Sequence, residues 1–258
     1  MDIFHTIILG VVEGITEFLP ISSTGHLAIV AEWIGINNDA FLPSFNIAIQ
    51  LGAILAAVTL YFKRLVTQTA LWVRLAIAFI PTAIVGATLY GYIRPLLDNA
   101  WVAAIALFVG GIIMIVVEKW FIQKDTIEPL GEDALPTIRQ SLYIGLYQVL
   151  AFIPGVSRSA ATIIGGLAHR VSRKTAVEFS FLLAVPTMVA ATGYDLLRSG
   201  SAFSSADWQV LLLGGAVSFV TAIFVMKWLL RYIKKYTFVP FGVYRILLTL
   251  VFILVFII

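Results

Sequence analysis

The sequence predicts an all-α polytopic membrane protein made of two inverted repeats, each a re-entrant helical hairpin plus three transmembrane helices. Three observations predict it. Of 258 residues, 60% are hydrophobic and only 12% charged, with a mean hydropathy of +1.00, whereas soluble domains are roughly 45–50% apolar and about 25% charged. Six apolar stretches are long enough, or nearly so, to cross a hydrocarbon core, and two more are apolar but broken by proline. The two broken stretches resemble each other and lie about half a chain apart. A chain of this size cannot hide so much apolar surface in one aqueous core, because surface area falls too slowly with size. A soluble enzyme, a disordered tail and a nucleic-acid binder are excluded, and no nucleic-acid partner is expected.

In chain order, the first broken region runs from Ile3 to Leu19, stops at Pro20-Ile21 and resumes from Ser22 to Ile36. The spans Phe45–Phe62, Leu75–Ile93 and Trp101–Val117 follow. The second broken region runs from Ile138 to Ile153, stops at Pro154-Gly155 and resumes from Ser157 to about His169. It is followed by Val177–Leu197, Val210–Met226 and Phe241–Ile258. A span takes about 20 helical residues, so each arm of a broken region is too short to cross comfortably. Proline followed by serine suits a helix stop and a new start. Irregular backbone at membrane depth is tolerated only where protein or water covers it, which makes the two hairpin tips the places to look for chemistry. The N-terminus, Met1-Asp2-Ile3-Phe4-His5, lacks the basic region of a cleavable signal, so the first apolar segment is expected to stay in the mature protein.

Gly10-x-x-Glu13, Phe18-Leu19-Pro20 and Ser23 match Gly145-x-x-Gln148, Phe152-Ile153-Pro154 and Ser157, with one residue of slippage. A hairpin does not change sides and three spans do, so the repeats (about 1–125 and about 136–258) must be inverted. Such repeats, with discontinuous helices meeting near the midplane, recur in transporters. The connectors leave no room for a second domain, and the whole chain, 1–258, reads as one membrane domain. Charge tests the topology independently. With the loop after Phe62 inside, that side holds Lys63, Arg64, Arg74, Lys119, Lys124, Arg139, Arg170, Arg173, Lys174, Lys227, Arg231, Lys234 and Lys235; the other holds Arg94 and Arg198. Positive charge marks cytoplasmic loops, so both termini are expected outside. Trp33, Trp72, Trp101, Trp120, Trp208 and Trp228 fall near span ends, as an interfacial belt requires.

The first tip reads Glu13-Gly-Ile-Thr-Glu17-Phe-Leu-Pro-Ile-Ser22-Ser23-Thr24-Gly-His26. Glu13 and Glu17, four apart on a helix, are neighbours, and two carboxylates so close disfavour joint ionisation. Within a membrane such a pair calls for a divalent cation, a shared proton or an opposing cation; Mg²⁺ or Ca²⁺ suits oxygen ligands. One of Ser22, Ser23 and Thr24 is expected to cap the second arm, whose free N-terminus also attracts anions. His26, three residues after Ser23, suits proton transfer or nucleophilic attack beside the hydroxyls and carboxylates.

The second tip reads Pro154-Gly-Val-Ser157-Arg158-Ser159-Ala-Ala-Thr162. Burying Arg158 in an apolar hairpin costs at least about 2.5–3.5 kcal/mol. An ion pair with Glu13/Glu17 would offset that cost, and a guanidinium fork is equally suited to phosphate oxygens. Ser157, Ser159 and Thr162 add hydroxyls. Together these groups form an anion site with a base and a nucleophile, best matched by a phosphate ester or diphosphate. Gln50, Gln148, Glu178, Ser180, Asp195 and Arg245 lie in or near spans, where they would line a cavity or pair with one another; a surface ion pair is the expectation for Glu178. The absence of cysteine removes disulfides, thiolate nucleophiles and cysteine-bound metals.

These tip motifs, together with Glu178-Phe-Ser-Phe-Leu-Leu-Ala-Val-Pro186, resemble those of the bacitracin-resistance type of undecaprenyl-diphosphate phosphatase over nearly the whole chain. Ala160 stands where some members have glycine. The resemblance implies a divalent-cation-dependent membrane enzyme that hydrolyses the C55 isoprenyl diphosphate to monophosphate and inorganic phosphate, recycling the lipid carrier of bacterial cell-wall synthesis. It implies the cytoplasmic membrane as location, an extracytoplasmic site, and active-site positions at Glu13, Glu17, Ser23, His26, Ser157, Arg158 and Thr162. In the expected scheme Glu13 and Glu17 hold the metal, and Arg158 and the hydroxyls, Ser22, Thr24 and Ser159 among them, hold the diphosphate. Ser23, His26 and metal-bound water remain alternatives for the attacking group. The rival reading is a transporter or flippase for a lipid phosphate or other anion, favoured by the inverted repeats. Partners are the polyprenyl diphosphate and membrane lipids, and a homo-oligomer is compatible with the sequence.

Overall fold

The computed structural model describes residues 1–36, 41–97, 100–121, 134–199 and 204–256. Its elements are helical throughout, and no strand occurs among the described residues. The first broken region forms α1 (Ile3–Thr16) and α2 (Ser23–Trp33), the second α7 (Ile138–Gln148), a 3-10 turn (Val149–Phe152) and α8 (Arg158–Ala168). Between them lie α3 (Leu42–Leu60), the short α4 (Phe62–Thr67), α5 (Thr69–Leu97) and α6 (Ala100–Phe121). The chain ends in α9 (Arg173–Ser199), α10 (Ser205–Tyr232) and α11 (Val239–Phe256).

All six expected spans are helices long and apolar enough to cross a membrane: α3, α5, α6, α9, α10 and α11. All six start before the apolar stretches read from sequence, and α5, α6, α9 and α10 also end beyond them, because a helix goes on into polar flanks while its backbone bonds can still be made, whereas α3 stops at Leu60, short of Phe62. All six tryptophans are exposed near helix ends. Helix α9 is the most enclosed span, with 56% of its apolar window buried, against 28% for α5 and α10. The outer faces carry Leu212, Phe224, Leu254 and similar side chains, as expected where the solvent is lipid rather than water. The side chains of Arg94, Asp195 and Arg198, and Lys124 altogether, lie outside the described residues.

Helix α1 packs on α2 and α10, and α7 on α8 and α5; α3 meets both α9 and α10, and α6 lies against α11 and α8. This interleaving carries the two proline breaks into the interior. Gly155 shows how tightly the second is held. Its φ is +88°, a conformation that disfavours any side chain, and a Cβ there would overlap the carbonyl of Ala103 on α6.

Buried polar residues pair across helices. Gln148 donates to Thr82 (2.8 Å), and Thr187 donates back to Gln148 (3.4 Å). Glu178 departs from the expected surface pair: it is buried, and its carboxylate meets Arg64 at 2.8 Å. The ion pair between Arg173 and buried Glu118 fixes the start of α9 to the end of α6 in the same manner. The physical reason is packing. Helix α9 is the most enclosed span, packed on α3, α5 and α8, and its first turns are reached by Arg64 of α4 and Glu118 of α6. Gln50, in contrast, is only half-buried.

Candidate active site

Each proline break ends one helix and lets another start at a serine, and the two starts share an unusual backbone. Ser22 precedes α2 with φ +72° and Ser157 precedes α8 with φ +70°. Positive φ at a residue with a Cβ is uncommon and costs of order 1–3 kcal/mol, and such strain clusters at functional sites. The side-chain cap expected from Ser22, Ser23 or Thr24 is not made at the first tip, whereas at the second Ser157 Oγ accepts from the Ala160 N–H (3.3 Å). Thr24 is exposed.

The tips meet. Arg158 Nη2 donates to Glu17 Oε1 at 2.8 Å, and Ser23 Oγ donates to Glu17 Oε2 at 2.8 Å. Arg158 Nη1 donates to the Ser180 carbonyl (3.0 Å), and the guanidinium lies 5.8 Å from the centre of the Phe18 ring. Ser159 Oγ donates across to the Leu19 carbonyl (2.8 Å) and sits 3.0 Å from Ser157 Oγ. Glu17, Ser23, Arg158 and Ser159 are all buried, so their charges and hydroxyls interact at low dielectric, where electrostatics is strong.

Three atoms at this site lack the partners their chemistry requires. Both carboxylate oxygens of Glu13, which is fully buried, meet no donor, and Arg158 Nε meets no acceptor. Buried polar atoms are nearly always paired, and an orphan among them needs an explanation. Two free acceptors on an acid and one free donor on an arginine are what a cation and an anion together would satisfy. Among the described residues no three His, Asp, Glu or Cys side chains cluster as a complete metal cage. Two carboxylates with nearby hydroxyls fit a hard ion that completes its shell with water and substrate oxygens, as Mg²⁺ does beside phosphates.

Other expected positions are placed differently. Thr162 Oγ1 is fully buried and lies 2.7 Å from Ser180 Oγ and 3.0 Å from the Arg158 carbonyl. It supports the helix rather than facing a cavity. The hydrogen bonds of His26 go to Ser22 and Tyr244: Nδ1 lies 2.8 Å from the Ser22 carbonyl and Nε2 2.6 Å from Tyr244 Oη, with the two rings stacked. A carbonyl only accepts, so Nδ1 carries the proton of the neutral ring and Nε2 accepts from Tyr244. Replacing Tyr244 by phenylalanine leaves the Nδ1 anchor, so phosphate release is expected to fall only about two- to tenfold, the worth of one hydrogen bond. A steady-state assay of the purified variant checks this. Tyr244 has no motif to announce it. Phe18, Leu19 and Ser180 stand within the motifs read from sequence, and Ser180 and Arg245 among the polar residues of the spans, but no feature of the sequence announced their contacts.

Known proteins resemble this chain over nearly its whole length. The chain is 47% identical to the undecaprenyl-diphosphatase of Aquifex aeolicus over 253 residues, covering 98% of each chain. It is 47% identical to that of Wolinella succinogenes over 252 residues, 98% of this chain and 97% of the relative. The protein so named in Flavobacterium johnsoniae is 42% identical over 258 residues, 99% and 96% respectively. The profile of the family described as bacitracin resistance protein BacA matches residues 6–251. With full-length relatives and a profile match over nearly all of its length, this multi-pass helical chain belongs to the BacA bacitracin resistance family.

Proposed function

We propose that this protein is a membrane phosphatase that hydrolyses undecaprenyl diphosphate to undecaprenyl phosphate and inorganic phosphate, returning a lipid carrier to cell-wall synthesis. The name shared by its relatives supports the substrate. The observation that carries the chemistry is the buried set of Glu17, Ser23 and Arg158, with free valences on Glu13 and on Arg158 Nε. Oil-facing helices offer the polyprenyl tail a surface, while the buried tips offer its headgroup an anion site.

Ser23 Oγ attacks the terminal phosphorus, and its proton passes to Glu17 Oε2, already 2.8 Å away. The new Oγ–P bond forms as the bridging P–O bond breaks, and undecaprenyl phosphate leaves. Glu17 passes the serine's proton to the departing undecaprenyl phosphate; water then attacks the seryl phosphate, Glu17 taking its proton and returning it to Ser23 Oγ as the Oγ–P bond breaks and inorganic phosphate departs. Arg158 donates to a non-bridging oxygen through Nε and balances the charge of the phosphoryl group, the main task in phosphoryl transfer. Ser157 and Ser159 lie at the start of α8, whose unpaired N–H groups favour an anion. His26 is committed to Ser22 and Tyr244, which favours serine over histidine as nucleophile. Glu13 and Glu17 are the residues that would hold a divalent cation, which when bound supplies charge neutralisation at the diphosphate.

The membrane arrangement follows the same reading. Exchanging α1, α2, α3, α5 and α6 with α7, α8, α9, α10 and α11 turns the α1–α10 contact into α7–α5, α3–α10 into α9–α5 and α6–α8 into α11–α2. All of these contacts are made. This supports two interleaved inverted repeats in one membrane domain, with re-entrant hairpins entering from opposite sides. The excess of Lys and Arg after α3 supports termini and a first hairpin opening on the extracytoplasmic side of the bacterial inner membrane.

The test is phosphate release from undecaprenyl diphosphate by purified protein in detergent, without any gradient. Release is expected, to fall at least about a hundredfold on chelation, the scale of a lost charge-stabilising group, and to return with Mg²⁺ or Ca²⁺. Release unaffected by chelators would remove the metal from the scheme. No release at all, with metal present, would leave transport as the better reading.

A further inference from the structure

Arg245 on α11 is completely buried, and every one of its guanidinium N–H groups is directed at a backbone carbonyl. Nη1 donates to Val156 (2.9 Å) and Pro20 (3.4 Å), Nη2 to Gly155 (2.9 Å) and Ala106 (3.1 Å), and Nε to Leu107 (3.4 Å). A guanidinium has five N–H donors, and five carbonyls receive them. Arg158, with its Nε unengaged, is poised for an anion; Arg245 has no donor left to offer one. Two of its partners belong to the second tip, one to the first tip and two to α6.

We propose that Arg245 is a positioning residue that locks the two proline breaks in register with each other, and that the alignment of Ser23 with Arg158 depends on it. The connectivity is direct. Pro20 lies three residues before Ser23 and Val156 two residues before Arg158, and both carbonyls are held by the same nitrogen. Helix breaks leave carbonyls without intrahelical partners, and at this depth no bulk water can satisfy them. The guanidinium satisfies both breaks at once, beside two positive-φ serines that would relax if released. Gly110 on α6 makes the room: a Cβ there would overlap Nη2 and come within 3.0 Å of Cζ.

The inference rests on the phosphatase reading, and the unsubstituted protein's phosphate release separates the two. If that protein releases none, the reading fails before Arg245 is tested. Given release, Arg245→Met is expected to lower kcat about a hundredfold while KM stays within threefold, because misplacing reacting groups by about 1 Å costs that much. Arg245→Lys, with the charge but only three donors, should recover part of the loss. A group that merely supported the fold would change melting temperature and the yield of active protein, not the kcat of the folded fraction. Folded Arg245→Met with kcat within threefold of normal overturns the proposal, as does a rise in KM alone, which would put the arginine on the substrate. Should Arg245→Met fail to fold, Gly110→Ala decides: it keeps the arginine but displaces its guanidinium. A roughly tenfold fall in kcat, the scale of a smaller shift in the same geometry, supports the lock; kcat within twofold overturns it.

Discussion

Replacing Arg158 by alanine is expected to reduce phosphate release by about a thousandfold or more, the effect of removing an arginine from a phosphoryl-transfer site. Two losses combine. The diphosphate loses a buried cationic donor whose Nε is free, and Glu17 loses the partner 2.8 Å from Oε1. Leaving one member of a buried ion pair without the other costs about 3–5 kcal/mol of stability, so lost activity in this variant alone would be ambiguous. The double variant Arg158→Met/Glu17→Leu removes both charges. It is expected to melt within a few degrees of the unsubstituted protein yet release no phosphate. Thermal unfolding in detergent beside the release assay checks both. Recovery of activity together with stability would make the pair purely structural.

Ser23→Ala carries the second large effect. The variant keeps the Arg158–Glu17 pair and removes only a hydroxyl, so stability should change by about 1 kcal/mol, one hydrogen bond. Activity should fall at least about a thousandfold, since among the described residues no other hydroxyl is bonded to Glu17 and loss of an attacking group leaves only binding and charge stabilisation. Ser23→Cys is expected to keep the fold and restore a small fraction of turnover, because a thiolate is a capable nucleophile in a different geometry. Quenched reactions of the unsubstituted protein with terminally labelled substrate should leave label on a peptide containing Ser23. Label on His26 instead, or full activity in Ser23→Ala, would reassign the attack.

The six spans were legible because lipid imposes a length and a polarity that any helix must meet on its own, and the two breaks because proline cannot continue a helix. Glu17, Ser23, Arg158 and Ser159 were legible as expensive polar groups in apolar segments. The sequence could not give the contacts of His26 or Thr162. Their neighbours, Tyr244 and Ser180, lie 218 and 18 positions away, and helical spacing says nothing of contacts between helices. Glu178 was misjudged for the same reason, since a charge near a span end is buried or exposed according to which helix covers it.

Composition and pattern alone thus determined a multi-pass helical protein with two interrupted segments rich in hydroxyl and charged side chains. Each of those features is a local balance of solvation and backbone geometry. Only the tertiary structure decided that Glu17 faces Arg158, that Glu13 and Arg158 Nε are left unsatisfied, and that Arg245 spends all its donors on the carbonyls around the breaks. Those outcomes depend on which segments distant in the chain become neighbours, and that is set by close packing among all the helices at once.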